Sequence, residues 1–83
     1  MDMLREVLVL LDSTLNLNGR GRAFTRDTAL LGAVPELDSM GVVALITAME
    51  DRLGVTVEDD EIDGSTFATV GSLVDFLSAR VAG

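Results

Sequence analysis

The residues most suited to take part in a reaction are Asp38, Ser39 and Met40, which place a hydroxyl between a carboxylate and an apolar side chain. A serine becomes a nucleophile within its own protein when a neighbouring base, usually His and sometimes Lys, takes its proton. The sequence contains no His, no Lys and no Cys. We therefore predict no catalytic residues and no enzyme activity, and expect any chemistry on Ser39 to be performed by another protein.

Ser39 also has a simpler interpretation as a structural residue. Ser and Asp are both favoured at the N-terminal cap of an α-helix, where their side chains accept hydrogen bonds from free backbone N–H groups. The pair Asp38-Ser39 therefore predicts a helix start, whether or not the hydroxyl is modified.

The negative charge is concentrated in one third of the chain. The net charge is −8, and nine acidic residues fall between positions 36 and 63 beside a single arginine, Arg52. Outside this window acids and arginines are equal in number. Such a field repels nucleic acids and anionic membranes but attracts basic protein surfaces. We predict protein partners that carry Arg and Lys patches.

Three segments of the chain predict amphipathic helices. In each, apolar residues recur at relative positions 0, 3, 4, 7 and 11, which places them on one helix face. They are Leu4, Val7, Leu8, Leu11 and Leu15; Val42, Leu45, Ile46, Met49 and Leu53; and Val70, Leu73, Val74, Leu77 and Val81. Asp2 and Thr69 are expected to be N-caps, and Gly54 to end the second helix.

A short fourth helix of one or two turns is predicted between Gly54 and Thr69, from the acidic residues of 58–63 together with Ile62 and Phe67. The segment 55–57 alternates like a strand but lacks a partner strand, so we interpret it as a connector. The fold class expected is all-α: a small four-helix bundle, with one domain over residues 1–83. Its long loop, between the first two helices, is expected to be held by Leu30 and Leu31.

The second helix is apolar over more than its core face. Met40, Val43, Ala44 and Thr47 point away from the core side. We call these residues the apolar docking surface, and we call Glu50, Asp51, Asp59 and Asp60 the acidic rim. An apolar centre with a charged edge is typical of a protein-binding site. The alternative is that the long loop and the fourth helix cover Val43 and Ala44.

These segments together resemble an acyl carrier protein over essentially the whole chain. The resemblance is carried by Glu36-Leu37-Asp38-Ser39-Met40, by Glu50-Asp51-Arg52-Leu53-Gly54-Val55 at the end of an aliphatic helix, by the acidic turn, and by the closing segment 69–77. It implies that a phosphopantetheinyl transferase attaches 4′-phosphopantetheine from coenzyme A covalently to Ser39. Asp38 would help the transferase and its magnesium to engage, and the thiol of the arm would carry acyl groups as thioesters.

The resemblance also implies roles for residues of the second helix. Val42, Ile46, Met49 and Ile62 would line an acyl cavity. Met40, Val43, Thr47 and the acidic rim would bind acyl ligases, synthases or acyltransferases that have basic patches. Gly41 and Ala44 stand where fatty-acid carriers often have polar or acidic residues. They favour a specialised stand-alone carrier, for example in a polyketide or surface-molecule pathway, at least as much as one for fatty-acid synthesis.

Two alternatives stay open: a non-covalent acidic helical adaptor, in which Ser39 is only a cap, and a peptidyl or aminoacyl carrier. Asp59, Glu61, Asp63 and Gly64 fit the start of a calcium-binding loop, but Val70 occupies the position that needs a bidentate Glu. We therefore predict no metal site. No apolar run reaches the ~20 residues of a membrane span, so we expect a cytoplasmic protein. We also expect a bacterial source and a monomer.

Overall fold

The structure, a computed structural model, describes residues 2–58, 62 and 64–82. Within these residues the chain forms helix α1 (Met3–Leu15), a 3₁₀-helix (Arg20–Ala23), helix α2 (Ser39–Leu53) and helix α3 (Val70–Ala82). An isolated antiparallel bridge joins Ala29 to Thr69, and no other strand pairing occurs in the described part of the chain. The predicted all-α class and its three longer helices are confirmed.

The predicted fourth helix is not found among the described residues. Glu58 and Ile62 lie outside any helix, and residues 64–67 form turns. Residues 59–61 and 63, which carry the rest of the prediction, lie outside the described residues. Gly64, Ser65 and Thr66 are weak helix formers, because Gly is too free and the hydroxyls compete for backbone groups. Like charges three or four residues apart oppose a helix further. Segment 55–57 is a connector, as predicted.

The helix ends follow ordinary capping chemistry. Thr69 Oγ1 accepts from the N–H of Ser72 at 3.1 Å, and Ser72 Oγ accepts from the N–H of Thr69 at 3.1 Å, a reciprocal cap for α3. Gly54 ends α2 at φ 66°, a left-handed conformation that glycine adopts without strain. Asp2 occupies the cap position of α1, but its side chain makes no cap hydrogen bond.

The core lies between α1 and the other two helices, and α2 and α3 each contact α1. The long loop between α1 and α2 contributes buried side chains of its own, at Leu17, Leu30, Val34 and Leu37. Of the two predicted loop anchors, Leu30 is fully buried, whereas Leu31 is 48% exposed and that prediction is wrong. Leu31 begins a turn over residues 31–33, all of which are exposed, so its side chain lies on the surface while Leu30 faces the core.

Two backbone hydrogen bonds fix the loop against the segment that precedes α3. The N–H of Leu30 donates to Ala68 O at 2.9 Å, and that of Leu31 donates to Phe67 O at 3.0 Å. Arg26 adds an ion pair to Asp75 on α3 at 2.8 Å. The loop is therefore part of the packed structure. No helix of the described residues is long and apolar enough to cross a bilayer.

The packing of α2 makes a matched pair of substitutions informative. Leu45 is 1% exposed in the core, whereas Val43 is 64% exposed on the opposite side of the same helix. Leu45→Ala should lower the free energy of unfolding by about 2–5 kcal/mol, because it leaves a cavity. Val43→Ala should change it by less than about 0.5 kcal/mol. Urea unfolding measures both, and similar losses would contradict this packing.

Candidate functional site

Ser39 is the first helical residue of α2, and Asp38 is the cap. Asp38 has extended backbone dihedrals, and its Oδ1 accepts a hydrogen bond from the N–H of Gly41 at 2.8 Å. The side chain of Ser39 is exposed, and none of the described residues hydrogen-bonds to its hydroxyl. Of the two predicted capping residues, Asp38 does the capping. The Ser39 hydroxyl is therefore free for a reaction with an external group.

The electrostatics at Ser39 favour an anionic substituent. The backbone N–H groups at the start of a helix lack intrahelical acceptors, and the helix dipole adds a partial positive charge there. The first turn of α2 contains no acidic residue, so the Asp38 carboxylate is the acidic group at its cap. A phosphate group is stabilised at such a position. A phosphodiester on Ser39 therefore fits the site.

Gly41 lies beneath the serine, where the loop presses against α2. A Cβ at this position would come within 2.6 Å of the Glu36 carbonyl oxygen and 3.2 Å of Leu15 Cδ2. No side chain fits unless the Glu36 backbone moves. The sequence led us to group Gly41 with Ala44 as a feature of the partner-binding face. Its half-buried position instead gives it a packing role.

Glu36 is joined to the 3₁₀-helix by an ion pair. Its Oε2 contacts Arg20 Nη2, and Arg20 Nε donates to Leu17 O at 3.1 Å. A hydrogen bond from its own backbone N–H, together with Arg20, lowers the pKa of Glu36 below its usual value. The pair joins the turn after α1 to the residues just before Ser39.

The predicted apolar docking surface is exposed. Met40 is 80% and Val43 is 64% exposed, and both line a shallow depression with Ser39 and Ala44. Thr47 is exposed beside them, and its hydroxyl donates to Val43 O at 3.0 Å. The alternative in which the loop and a fourth helix cover Val43 and Ala44 is wrong. An exposed apolar surface therefore surrounds the free hydroxyl.

The acidic rim can be placed only in part. Asp51 is exposed, whereas Glu50 is half-buried and its Oε2 accepts from the N–H of Val57 at 2.9 Å. Glu50 thus also holds the connector that follows α2. Asp59 and Asp60 lie outside the described residues. Among the residues that are described, no cluster of carboxylates is arranged to hold a metal ion.

The residues predicted to line an acyl cavity lie on the inner side of the protein. Met49 is 1% exposed within the core, and Val42, Ile46 and Ile62 are half-buried and pack against it. Their side chains are apolar and belong to one cluster.

Sequence reasoning missed Arg20, and it did not recognise the packing roles of Glu36 and Gly41. Arg20 and Glu36 are 16 residues apart, and no helical or strand period relates them. The weak signal available was the Arg20-Gly21-Arg22 sequence. A Cβ on Gly21 would come within 3.0 Å of Asp12 Cβ, so glycine allows the close approach that places Arg20 next to α1.

Comparisons with known proteins agree with this geometry. Residues 35–77 match a protein-family model described as a phosphopantetheine attachment site. The structure also matches the solution NMR structure of a holo acyl carrier protein from Nitrosomonas europaea, with a TM-score of 0.92 and 43% sequence identity over 100% of both chains. A comparison with curated proteins gave no significant match.

The division of roles between Asp38 and Ser39 predicts unequal effects on stability. Asp38→Ala should lower the free energy of unfolding by about 0.5–2 kcal/mol, because the cap of α2 is lost. Asp38→Asn keeps an oxygen acceptor and should be close to wild type. Ser39→Ala should stay within about 0.5 kcal/mol. Chemical denaturation measures all three, and a larger loss for Ser39→Ala than for Asp38→Ala would contradict the assignment.

The lowered pKa of Glu36 predicts a pH dependence. A carboxyl group with a lowered pKa stabilises the folded protein above its unfolded-state pKa, and this contribution disappears as the pH falls through the folded-state value. The stability difference between wild type and Glu36→Gln should therefore be present at about pH 7 and decrease as the pH falls below the usual pKa of a Glu carboxyl group. Unfolding curves across this range measure it.

The control repeats the pH series with Arg20→Gln and with the double variant Arg20→Gln/Glu36→Gln. The difference in free energy of unfolding between these two proteins should be smaller than that between wild type and Glu36→Gln. A difference that stayed constant from neutral to acid pH would contradict the interpretation.

Proposed function

Because the chain belongs to the acyl carrier protein family, we propose that it carries acyl groups on a 4′-phosphopantetheine arm attached to Ser39 Oγ. Proteins of this family are carriers and not enzymes. Their cofactor is covalently bound 4′-phosphopantetheine. When bound, the cofactor supplies a thiol that holds acyl groups as thioesters. This chain has no cysteine of its own to do so.

The observation that carries the proposal is the free hydroxyl of Ser39 within the matched segment. That segment also contains Ser65 and Ser72. The Ser72 hydroxyl donates to Thr66 O and Thr69 O, both at 2.9 Å, and is committed to the start of α3. Ser65 lies in a turn, away from any helix N-terminus. Ser39 alone of the three combines exposure with the start of a helix.

Attachment requires Ser39 to act as the nucleophile towards coenzyme A. Its Oγ would bond to the phosphorus on the pantetheine side of the diphosphate, the P–O–P bond would break, and adenosine 3′,5′-bisphosphate would leave. The hydroxyl proton must go to a base of the transferase or to water, because this chain has no His or Lys beside Ser39. Asp38 is proposed to help the transferase and its magnesium engage from the neighbouring position.

We propose that partner enzymes bind at the apolar docking surface and the acidic rim. Met40 and Val43 present apolar side chains to solvent, and Thr47 and Asp51 follow on the same exposed side of α2. Apolar contacts would provide affinity, while Glu50, Asp51, Asp59 and Asp60 would pair with basic residues and speed encounter. Besides the transferase, the proposed partners are acyl ligases, synthases and acyltransferases.

The acyl chain is proposed to insert next to Val42, Ile46, Met49 and Ile62. These residues are apolar and contact the core. Burial of a fatty chain there would remove both the chain and the thioester from water. The methylenes of such a chain gain about 0.8 kcal/mol each when they leave water, which favours insertion over exposure.

We propose a specialised stand-alone carrier in preference to one for housekeeping fatty-acid synthesis. Ala44 is exposed in the apolar docking surface, so this part of α2 offers partners an uncharged surface. Residues 1–83 would form one carrier domain, in line with full coverage of the Nitrosomonas europaea chain. Loading is proposed to take place in the bacterial cytoplasm, and the protein to act as a monomer.

Mass spectrometry tests the attachment. Incubation of the purified protein with coenzyme A, Mg²⁺ and a broad-specificity phosphopantetheinyl transferase should add one phosphopantetheine to the wild type and none to Ser39→Ala. Ser13→Ala, at another exposed serine, is the matched control and should be modified at the wild-type rate. Absence of an adduct with several transferases, or an adduct on Ser39→Ala, would overturn the proposal.

A further inference from the structure

The polypeptide just before Ser39 is fixed from two sides. On one side the Glu36 carbonyl lies against Gly41 of α2, so closely that a Cβ there would be at 2.6 Å. On the other side the Glu36 carboxylate pairs with Arg20 of the 3₁₀-helix. Leu37, next in the chain, is buried in the core. Residues 36–38 are therefore held between α2 and the 3₁₀-helix.

The 3₁₀-helix gives Arg20 a firm base on α1. Asp12 Oδ1 accepts from the N–H of Gly19 at 3.0 Å, and Asp12 O accepts from the N–H of Leu17 at 2.9 Å. Gly21 is buried against Asp12, and a Cβ there would come within 3.0 Å of Asp12 Cβ, so a larger residue would push against α1. Arg20 Nε itself donates to Leu17 O. A continuous set of contacts thus leads from Asp12 on α1 through Arg20 to Glu36.

We propose that Arg20 is a positioning residue for the modification of Ser39: through its ion pair with Glu36 it holds residues 36–38 against α2 and so fixes the orientation of the hydroxyl offered to the transferase. This inference rests on the proposed attachment at Ser39. Arg20 does not contact Ser39 in this arrangement. It acts on the backbone that leads into the serine.

The contribution of Arg20 should be local. An ion pair between exposed side chains contributes little to global stability, because water screens it. Buried Leu37 and Val34 still hold the loop when the pair is broken. What changes is the freedom of residues 36–38, and misplacement of a nucleophile lowers the rate of the bond-forming step.

A second ion pair of the same loop provides a matched control. Arg26 Nη2 contacts Asp75 Oδ1 at 2.8 Å and ties the loop to α3. The two arginines are similarly exposed: the side chain of Arg20 is 59% exposed and that of Arg26 is 49% exposed. It differs in that its partner lies on α3 and not in the residues before Ser39. A general effect of a loosened loop would appear in both pairs.

The experiment follows holo-protein formation by mass spectrometry, with the full chain, coenzyme A, Mg²⁺ and one transferase, well below the melting temperature. The variants are Arg20→Gln, Glu36→Gln, the double variant, Arg20→Lys as the conservative rescue, and Arg26→Gln. We expect kcat to fall about fivefold for both single variants at nearly unchanged KM, since the docking surface is untouched. The double variant should be no slower than either single one, because both remove the same contact. Arg20→Lys should recover most of the rate, and Arg26→Gln should stay within about twofold of wild type.

Each other outcome overturns the inference. Wild-type rates for Arg20→Gln and Glu36→Gln would remove the positioning role while the attachment at Ser39 stood. A loss in Arg20→Gln without one in Glu36→Gln would mean that Arg20 contacts the transferase or coenzyme A directly. An equal loss in Arg26→Gln would reduce the effect to loop stability. An unmodified wild type would instead refute the proposed function itself.

Discussion

The hydrogen bond from the Gly41 N–H to Asp38 fixes the first turn of α2, and the functional surfaces follow from that start. A helix turns 100° per residue, so once its first residue is fixed, the direction of each later side chain is fixed too. Ser39 then lies at the exposed end of the helix and Val43 on its outer side, while Leu45 and Met49 point into the core. A shift of the helix start by one residue would turn these faces away from their present neighbours.

The position of the helix start depends in turn on the long loop before it, which is packed against the rest of the protein. Leu30, Val34 and Leu37 are buried, and backbone hydrogen bonds tie the loop to the segment before α3. Long connections within a compact domain are uncommon unless they have a function. Here the loop places Asp38 at the N-cap position of α2. The absence of a side chain on Gly41 permits the close contact that completes this arrangement.

Much of the fold and site was predictable, because the relevant signals are local. Apolar periodicity depends on neighbours within a few turns, and it correctly gave the three helices and the burial of Leu45 and Met49. The position of Ser39 at the start of α2 was predictable for the same reason, because Ser and Asp are favoured at helix starts. The assignment of the cap to Asp38, the packing role of Gly41 and the Arg20–Glu36 pair depend on how distant segments meet. No local sequence pattern specifies contacts between segments that are far apart in the chain.

The wrong expectation at Leu31 shows the limit of a short sequence signal. Leu31 is as apolar as Leu30, and only the turn that begins at Leu31 decides which of the two is buried. Where a sequence signal is short, tertiary contacts decide the outcome.

The distribution of charge suits a protein that must bind several partners and leave each of them. Arginines pair with Glu6, Glu36 and Asp75, and these ion pairs tie elements together. Asp51 has no such partner among the described residues and stays exposed on α2. Charges at an exposed edge accelerate encounter more than they strengthen the complex. In the proposed docking, the small apolar centre of Met40 and Val43 would limit the affinity, so that a partner could dissociate once its acyl transfer is complete.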